Sequence, residues 1–136
     1  MFQPRRTKHR KWQKGRSLSR TITTKGFRLA QGEMGLKSLE AKFLTDKQIE
    51  AAWNEIKRNL SNKGRVWLRI FPHKPITKKP PEVRMGGGKG DVAGYVCFVK
   101  PGTILFEVSS NNKELMFEAL KKASYKLPIK TKIVSE

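Results

Sequence analysis

The chain has 136 residues, with 30 Lys and Arg against 11 Asp and Glu, and its formal net charge is +19 at pH 7. This length supports one compact domain and excludes a two-domain cofactor enzyme, because two separate cores would each be too small to close. No apolar run approaches the roughly 20 residues of a membrane-spanning helix, and the charged start lacks the apolar segment of a signal peptide. The single cysteine, Cys97, excludes an internal disulfide and a cysteine-built zinc site. We therefore expect a soluble protein with no membrane partner.

The first 24 residues predict a basic arm. No acid occurs between residues 1 and 32. Pro4, Gly15 and a Ser/Thr cluster at 17–24 interrupt any regular period, so we expect this arm to order only against its partner, ahead of a domain at residues 25–136. Its cations, the first candidates for RNA binding, are Arg5, Arg6, Lys8, Arg10, Lys11, Lys14 and Arg16.

The first half of the domain predicts strands around a helix. Short strands are expected at residues 27–30 and 36–44. Thr45 and Gln48 form a capping-box pattern that begins a helix, and Gly64 is the expected left-handed terminus. The apolar stripe of this helix consists of Ile49, Ala52, Trp53, Ile56 and Leu60. Residues 65–71 alternate as a strand with both faces engaged, and Arg69 beside aromatic residues could stack on RNA or cover a second layer.

Residues 72–90 predict a long loop without regular structure, extending to residue 94 as a functional segment. Four prolines remove backbone donors and four glycines loosen the chain. A long loop in a small domain is usually functional or disordered, and cations on a glycine-rich scaffold favour phosphate binding. The expected RNA-binding side chains of this stretch are Lys74, Lys78 and Lys79, followed by Arg84 and Lys89.

The C-terminal part predicts two strands at residues 95–99 and 104–108, joined in a hairpin-like connection by Pro101-Gly102. Cys97 is expected to be a buried thiol. Asn111, with Glu114 three residues on, is the expected cap of a second helix, and a strand at 129–134 follows it. The fold class is therefore α+β, a single domain with a mostly antiparallel sheet and two helices.

The excess positive charge calls for a polyanionic partner, because unneutralised like charges destabilise a compact state. Nucleic acid is the preferred candidate, since each neutralised phosphate releases counterions. An anionic membrane surface is the rival, but after Met1 and Phe2 the arm has only Trp12, Leu18 and Ile22 as large apolar residues, in a context poor for helix.

No catalytic, metal or cofactor site is indicated by the residues. The glycine-rich run resembles a nucleotide-binding loop, but Gly90 follows Lys89 where a Walker loop needs Ser or Thr. His9 and His73 lie among cations without a nearby carboxylate to orient them. We therefore expect a binding protein and not an enzyme.

Several motifs in order resemble the large-subunit ribosomal protein family called L-sixteen in bacteria and organelles, which is related to eukaryotic and archaeal L-ten. The resemblance covers nearly the whole chain. The motifs are Gln3-Pro4-Arg5-Arg6-Thr7-Lys8, Gln48-Ile49-Glu50-Ala51-Ala52, Trp67-Leu68-Arg69-Ile70-Phe71-Pro72, Arg84-Met85-Gly86-Gly87-Gly88-Lys89-Gly90, Lys100-Pro101-Gly102 and Lys126-Leu127-Pro128-Ile129-Lys130-Thr131. The chain departs from the family at His73, where Asp is usual, at Tyr95, where Trp is common, and at residues 17–25.

The resemblance implies a hammerhead-type α+β domain that binds large-subunit rRNA near the peptidyl-transferase region, beside other large-subunit proteins. It implies that the arm and the glycine-rich loop point toward tRNA at the aminoacyl-tRNA site, with P-site tRNA as a further candidate. The tRNA-proximal residues implied by the motif are Arg84, Met85, Gly86, Gly87, Gly88, Lys89 and Gly90. The family does not catalyse peptide transfer, and no homo-oligomer is expected.

Two alternatives stay open at this point. A free-standing RNA-binding regulator or chaperone would carry the same charge, and a nucleotide-dependent enzyme would use the glycine-rich loop. The expected location is the cytoplasmic ribosome of a bacterium, with an organellar ribosome as the alternative.

Overall fold

The computed structural model describes residues 2–15, 21–61 and 63–135. Within these ranges the chain forms two helices and seven strands. In chain order they are β1 (Met34–Ser38), β2 (Lys42–Thr45), α1 (Asp46–Leu60), β3 (Gly64–Leu68), β4 (Lys74–Lys78), β5 (Asp91–Val99), β6 (Ile104–Ser110), α2 (Lys113–Ser124) and β7 (Thr131–Ser135). The predicted α+β class is confirmed. Arg16 and residues 17–20 of the predicted arm lie outside the described residues.

The strands form two antiparallel sheets. One has the order β3-β6-β1-β7 and the other β2-β5-β4. The helices pack against each other, and both contact strands of the four-stranded sheet. Leu36, Ile56, Phe106 and Leu120 are fully buried in the core that fills this layer. None of the helices in the described chain is long and apolar enough to cross a membrane.

Helix α1 begins at the predicted capping box but ends in a different way. Thr45 Oγ1 accepts the Gln48 backbone N–H at 3.3 Å, and Gln48 Oε1 accepts the Thr45 N–H at 3.0 Å. The left-handed residue after the helix is Ser61, with φ 45°, so the prediction for Gly64 is wrong. Gly64 instead opens β3, where a Cβ would lie 2.6 Å from the Ser109 carbonyl oxygen.

The cap of α2 lies one residue later than predicted. Asn112 Oδ1 accepts the backbone N–H groups of Glu114 and Leu115 at 3.0 and 3.3 Å. Two consecutive asparagines precede this helix, and either residue type suits an N-cap, so only the backbone path selects Asn112 over Asn111.

Residues 74–78 form a strand where the sequence predicted an unbroken loop. β4 pairs with β5 on one side and is an edge strand, where Pro75 is tolerated because an edge strand needs partners on one side only. β5 begins at Asp91, four residues before its predicted start, so irregular backbone in the predicted loop is limited to residues 72–73 and 79–90.

Three further predictions about strands are wrong. The single strand expected at residues 36–44 is divided between β1 and β2, which belong to different sheets. Residues 27–30 form no strand, and the backbone N–H groups of Ala30, Gln31 and Gly32 bind the carboxylate of Glu107. The strands on either side of Pro101-Gly102 are not a hairpin, since β5 and β6 belong to different sheets. The turn bonds to β1 instead: Gly102 N–H donates to the Ser38 carbonyl at 2.7 Å, and Ser38 N–H donates to Thr103 at 2.8 Å.

Candidate nucleic-acid interface

The arm and the glycine-rich loop meet in a reciprocal pair of hydrogen bonds. Lys11 Nζ donates to the Lys89 carbonyl oxygen at 2.9 Å, and Lys89 Nζ donates to the carbonyl oxygen of Trp12. These segments are separated by 77 or 78 residues in sequence. The sequence predicted two basic segments, and the structure joins them into one surface, which we call the arm–loop surface (residues 2–15 and 78–90).

Lys74 anchors the arm from beneath. Its side chain is only 7% exposed, its Nζ donates to the Lys14 carbonyl at 2.6 Å, and it lies 4.9 Å from the centre of the Phe43 ring. Burial, with a further contribution from the charge of Lys89, lowers the pKa of the Lys74 ammonium. Lys74 was predicted to bind RNA directly, and its burial favours a positioning role for it.

Aromatic contacts hold the arm at two other points. The ring centres of Trp12 and His73 are 5.7 Å apart, and Trp12 Nε1 donates to the His9 carbonyl at 3.1 Å. Phe2 meets the edge of Trp53 on α1 at 6.4 Å. Residues 2–15 thus follow a path along the body, and the expectation that they order only against a partner stays a prediction.

The backbone at the loop tip adopts positive φ angles, which favour glycine. Gly86, Gly87 and Gly88 have φ values of 90°, 69° and 97°, and no atom lies within 4 Å of a Cβ added at any of them. Only glycine visits such conformations at little cost. Gly90 differs, because a Cβ there would lie 2.9 Å from the Lys78 carbonyl oxygen. The loop therefore holds Met85, which is fully exposed, at an open tip.

Most of the predicted RNA-binding cations are exposed on the arm–loop surface. These are Arg5, Arg6, Lys8, Arg10, Lys11, Lys14, Lys78, Arg84 and Lys89, whereas Lys79 is half-buried and donates to the Gly86 carbonyl. Arg16 lies outside the described residues. Lys11 Nζ lies 3.8 Å from the carboxylate of Asp91, whose side chain is 87% exposed. The surface is therefore strongly cationic and open to a polyanion.

Arg69 has an internal partner that the sequence did not reveal. Its Nη1 lies 2.5 Å from Oε1 of Glu107, whose side chain is fully buried on β6. The signal that could have found this pair is the single acid at position 107 within an apolar strand, since a buried charge is almost always paired. Direct RNA binding by Arg69 stays a prediction.

The titratable groups elsewhere form no catalytic arrangement that we can identify in the described ranges. Among residues 2–15, 21–61 and 63–135, no three His, Cys, Asp or Glu side chains lie together as a metal site would require. Cys97 is buried as predicted, and burial raises the pKa of its thiol to about 11.

Comparison with known proteins identifies the family of this chain. Residues 4–134 match the family described as ribosomal protein L16p/L10e. The chain is similar to the large ribosomal subunit protein uL16 of Christiangramia forsetii, with 48% identity over 134 residues, which cover 98% of this chain and 95% of the relative. The resemblance drawn from the sequence motifs is confirmed, and so is the prediction that the chain is not an enzyme. The chain belongs to the L16p/L10e family of ribosomal proteins.

Proposed function

We propose that the chain is a structural constituent of the large ribosomal subunit that binds large-subunit rRNA through the arm–loop surface and helps organise the aminoacyl-tRNA site. The reciprocal contact of Lys11 and Lys89 carries this proposal, because it unites two basic segments on one side of the domain. Family membership supports the ribosomal role, with rRNA and neighbouring ribosomal proteins as partners.

Charge and backbone geometry support RNA as the ligand of this surface. Clustered Lys and Arg side chains bind phosphates without sequence preference, and each neutralised phosphate releases counterions. The glycine tip adds backbone that a phosphate or sugar can approach closely. The bacterial relative supports a bacterial ribosome as the location, with an organellar ribosome as the alternative.

The loop tip is the part of this surface that we assign to tRNA. Arg84 and Met85 are exposed at the tip, and Lys89 follows the glycines. These side chains project from a loop that contacts the body through the Lys79 bond to the Gly86 carbonyl and through the close approach of Gly90 to Lys78. A tRNA bound there would meet two cations and an apolar side chain, with shape and charge providing most of the affinity.

The test compares large subunits carrying the double variant Arg84→Gln/Lys89→Gln with subunits carrying Lys113→Gln/Lys121→Gln, which removes two cations from α2. We expect the loop variant to co-sediment with large subunits after a moderate-salt wash but to weaken aminoacyl-tRNA binding about tenfold or more. The helix variant should match wild type in both measurements. Normal aminoacyl-tRNA binding by the loop variant would refute the tRNA assignment, and failure of the wild-type chain to co-sediment would refute the ribosomal role.

A further inference from the structure

We propose that a cavity between the arm and the three-stranded sheet binds one unstacked nucleotide of RNA, with its base against aromatic side chains and its phosphate on lysines. This inference rests on the proposed RNA-binding function and names a specific site for it. The cavity has a volume of about 500 Å³. That lies within the range of small-ligand pockets, roughly 300–1,000 Å³.

The apolar wall of the cavity suits a flat ring. Trp12 from the arm and Phe43 from β2 both line it, and their side chains are 39% and 37% exposed. Phe43 is held in place by Phe98, with ring centres 5.1 Å apart, and Trp12 is held by its bond to the His9 carbonyl. Ile76 adds an aliphatic side chain to the same wall. Restrained aromatic rings at the mouth of a cavity are the usual platform for an unstacked base.

The polar wall of the cavity suits a phosphate. Lys14, Lys74 and Lys89 line it, and no Asp or Glu does so among the described residues. The exposed ammonium group of Lys89 donates to the Trp12 carbonyl oxygen, whereas Lys74, which is 7% exposed, holds the Lys14 carbonyl and positions this wall. A phosphate oxygen is a stronger acceptor than a carbonyl for such charged donors. A nucleotide combines an aromatic ring with an anion, and so matches both walls at once.

Position in the fold also favours RNA as the source of the nucleotide. Trp12, Lys14 and Lys89 belong to the arm–loop surface as well as to the cavity. An RNA backbone bound along that surface passes the cavity mouth, so one base can turn into it while the chain of phosphates continues across the cations. The arm forms one wall of the cavity, and its described residues pair with no strand.

The experiment measures binding of the full chain to two single-stranded RNAs in dilute salt. One has a central adenosine flanked by uridines, and the other has an abasic residue at the same place. Both carry the same phosphates, so electrostatic attraction cannot distinguish them. We expect the adenosine RNA to bind about fivefold to a hundredfold more tightly, in line with the contribution of one stacked base.

Two variants locate the effect and a third is the control. Phe43→Leu and Trp12→Leu should each abolish most of the preference for adenosine, whereas Phe117→Leu, at a 48% exposed phenylalanine on α2, should preserve it. The Trp12 indole N–H resonance should shift on binding the adenosine RNA. Because Trp12 lies in the arm, its replacement leaves the core intact even if Phe43→Leu proves unstable.

The outcomes separate this site from the proposed function. Equal affinity for the two RNAs, or a preference unchanged in both cavity variants, would overturn the nucleotide site while leaving RNA binding in place. No binding of either RNA would count against the proposed function as well. Competition by octyl phosphate as strong as by adenosine monophosphate would also overturn the inference, since it would show a site for amphiphilic anions.

Discussion

Arg69 and Glu107 form an ion pair between the segment after β3 and the buried centre of β6, with 2.5 Å between Nη1 and Oε1. The same carboxylate accepts the backbone N–H groups of Gln31 and Gly32 at 2.8 and 3.0 Å. One buried acid thus holds an arginine and the segment that leads from the arm into β1. Because burying a charge is costly unless it is paired, each partner depends on the others.

Replacing Arg69 by Gln should destabilise the fold. The change leaves the Glu107 carboxylate buried without its cation, and we expect the free energy of unfolding to fall by about 3 kcal/mol. Urea denaturation measures this change in the free energy of unfolding. The control Lys122→Gln breaks the exposed pair with Glu118, at 2.7 Å, and should cost less than about 1 kcal/mol. If Arg69→Gln unfolds like the control but binds rRNA more weakly, the arginine serves RNA and not the fold.

Gly32 should not tolerate a side chain. A Cβ there would lie 2.8 Å from both the nitrogen and the oxygen of Val108, so Gly32→Ala must move backbone and disturb the bond to Glu107. We expect a loss of about 2 kcal/mol or more in unfolding free energy. Gly94→Ala is the matched control, because no atom lies within 4 Å of its added Cβ. Equal stability of the two variants would contradict the close approach at Gly32.

Lys74 should control whether the arm stays on the body. Lys74→Met keeps the aliphatic packing but removes the hydrogen bond to the Lys14 carbonyl, so the arm should open more often. We expect trypsin to cleave within residues 5–14 several times faster than in wild type. The control is Lys78→Met, because Lys78 lies on the same strand with an exposed side chain. This variant should leave the rate of cleavage in the arm unchanged. Identical cleavage of both variants would show that other contacts hold the arm.

Cys97 should make stability fall at high pH. Burial raises the pKa of its thiol from 9.0 to about 11, so the folded state favours the neutral thiol. The stabilisation is present in full below pH 9 and is lost as pH rises toward 11. The measurement is the difference in unfolding free energy between wild type and Cys97→Ala across pH 8–11, which isolates the contribution of this thiol. A difference that does not change with pH would contradict this account. We also expect the Cys97 thiol to be alkylated slowly in the folded protein at pH 8, because it is buried and protonated.

The elements that could be predicted from the sequence rest on neighbours in the chain. The capping box of Thr45 and Gln48 and the apolar stripe of α1 involve residues three or four apart, so their pattern is visible in the sequence. The formation of β4, and the absence of the expected hairpin between β5 and β6, depend instead on pairing between strands. Such pairing is set by contacts between segments that are distant in the sequence. Turn residues such as Pro101-Gly102 suit several connections, and only the bonds of that turn to Ser38 select one.

The sequence alone determined the class of the partner and the family, because charge, composition and the order of motifs need no coordinates to be read. Only the tertiary structure decided that the two basic segments meet at Lys11 and Lys89. It also decided that the buried Lys74 binds the arm and that Glu107 pairs with Arg69. The physical reason is the distance along the chain between the residues that interact. Net charge and helical period are sums over the chain or over near neighbours, whereas the partner of a buried charge is set by folding residues together that lie tens of positions apart.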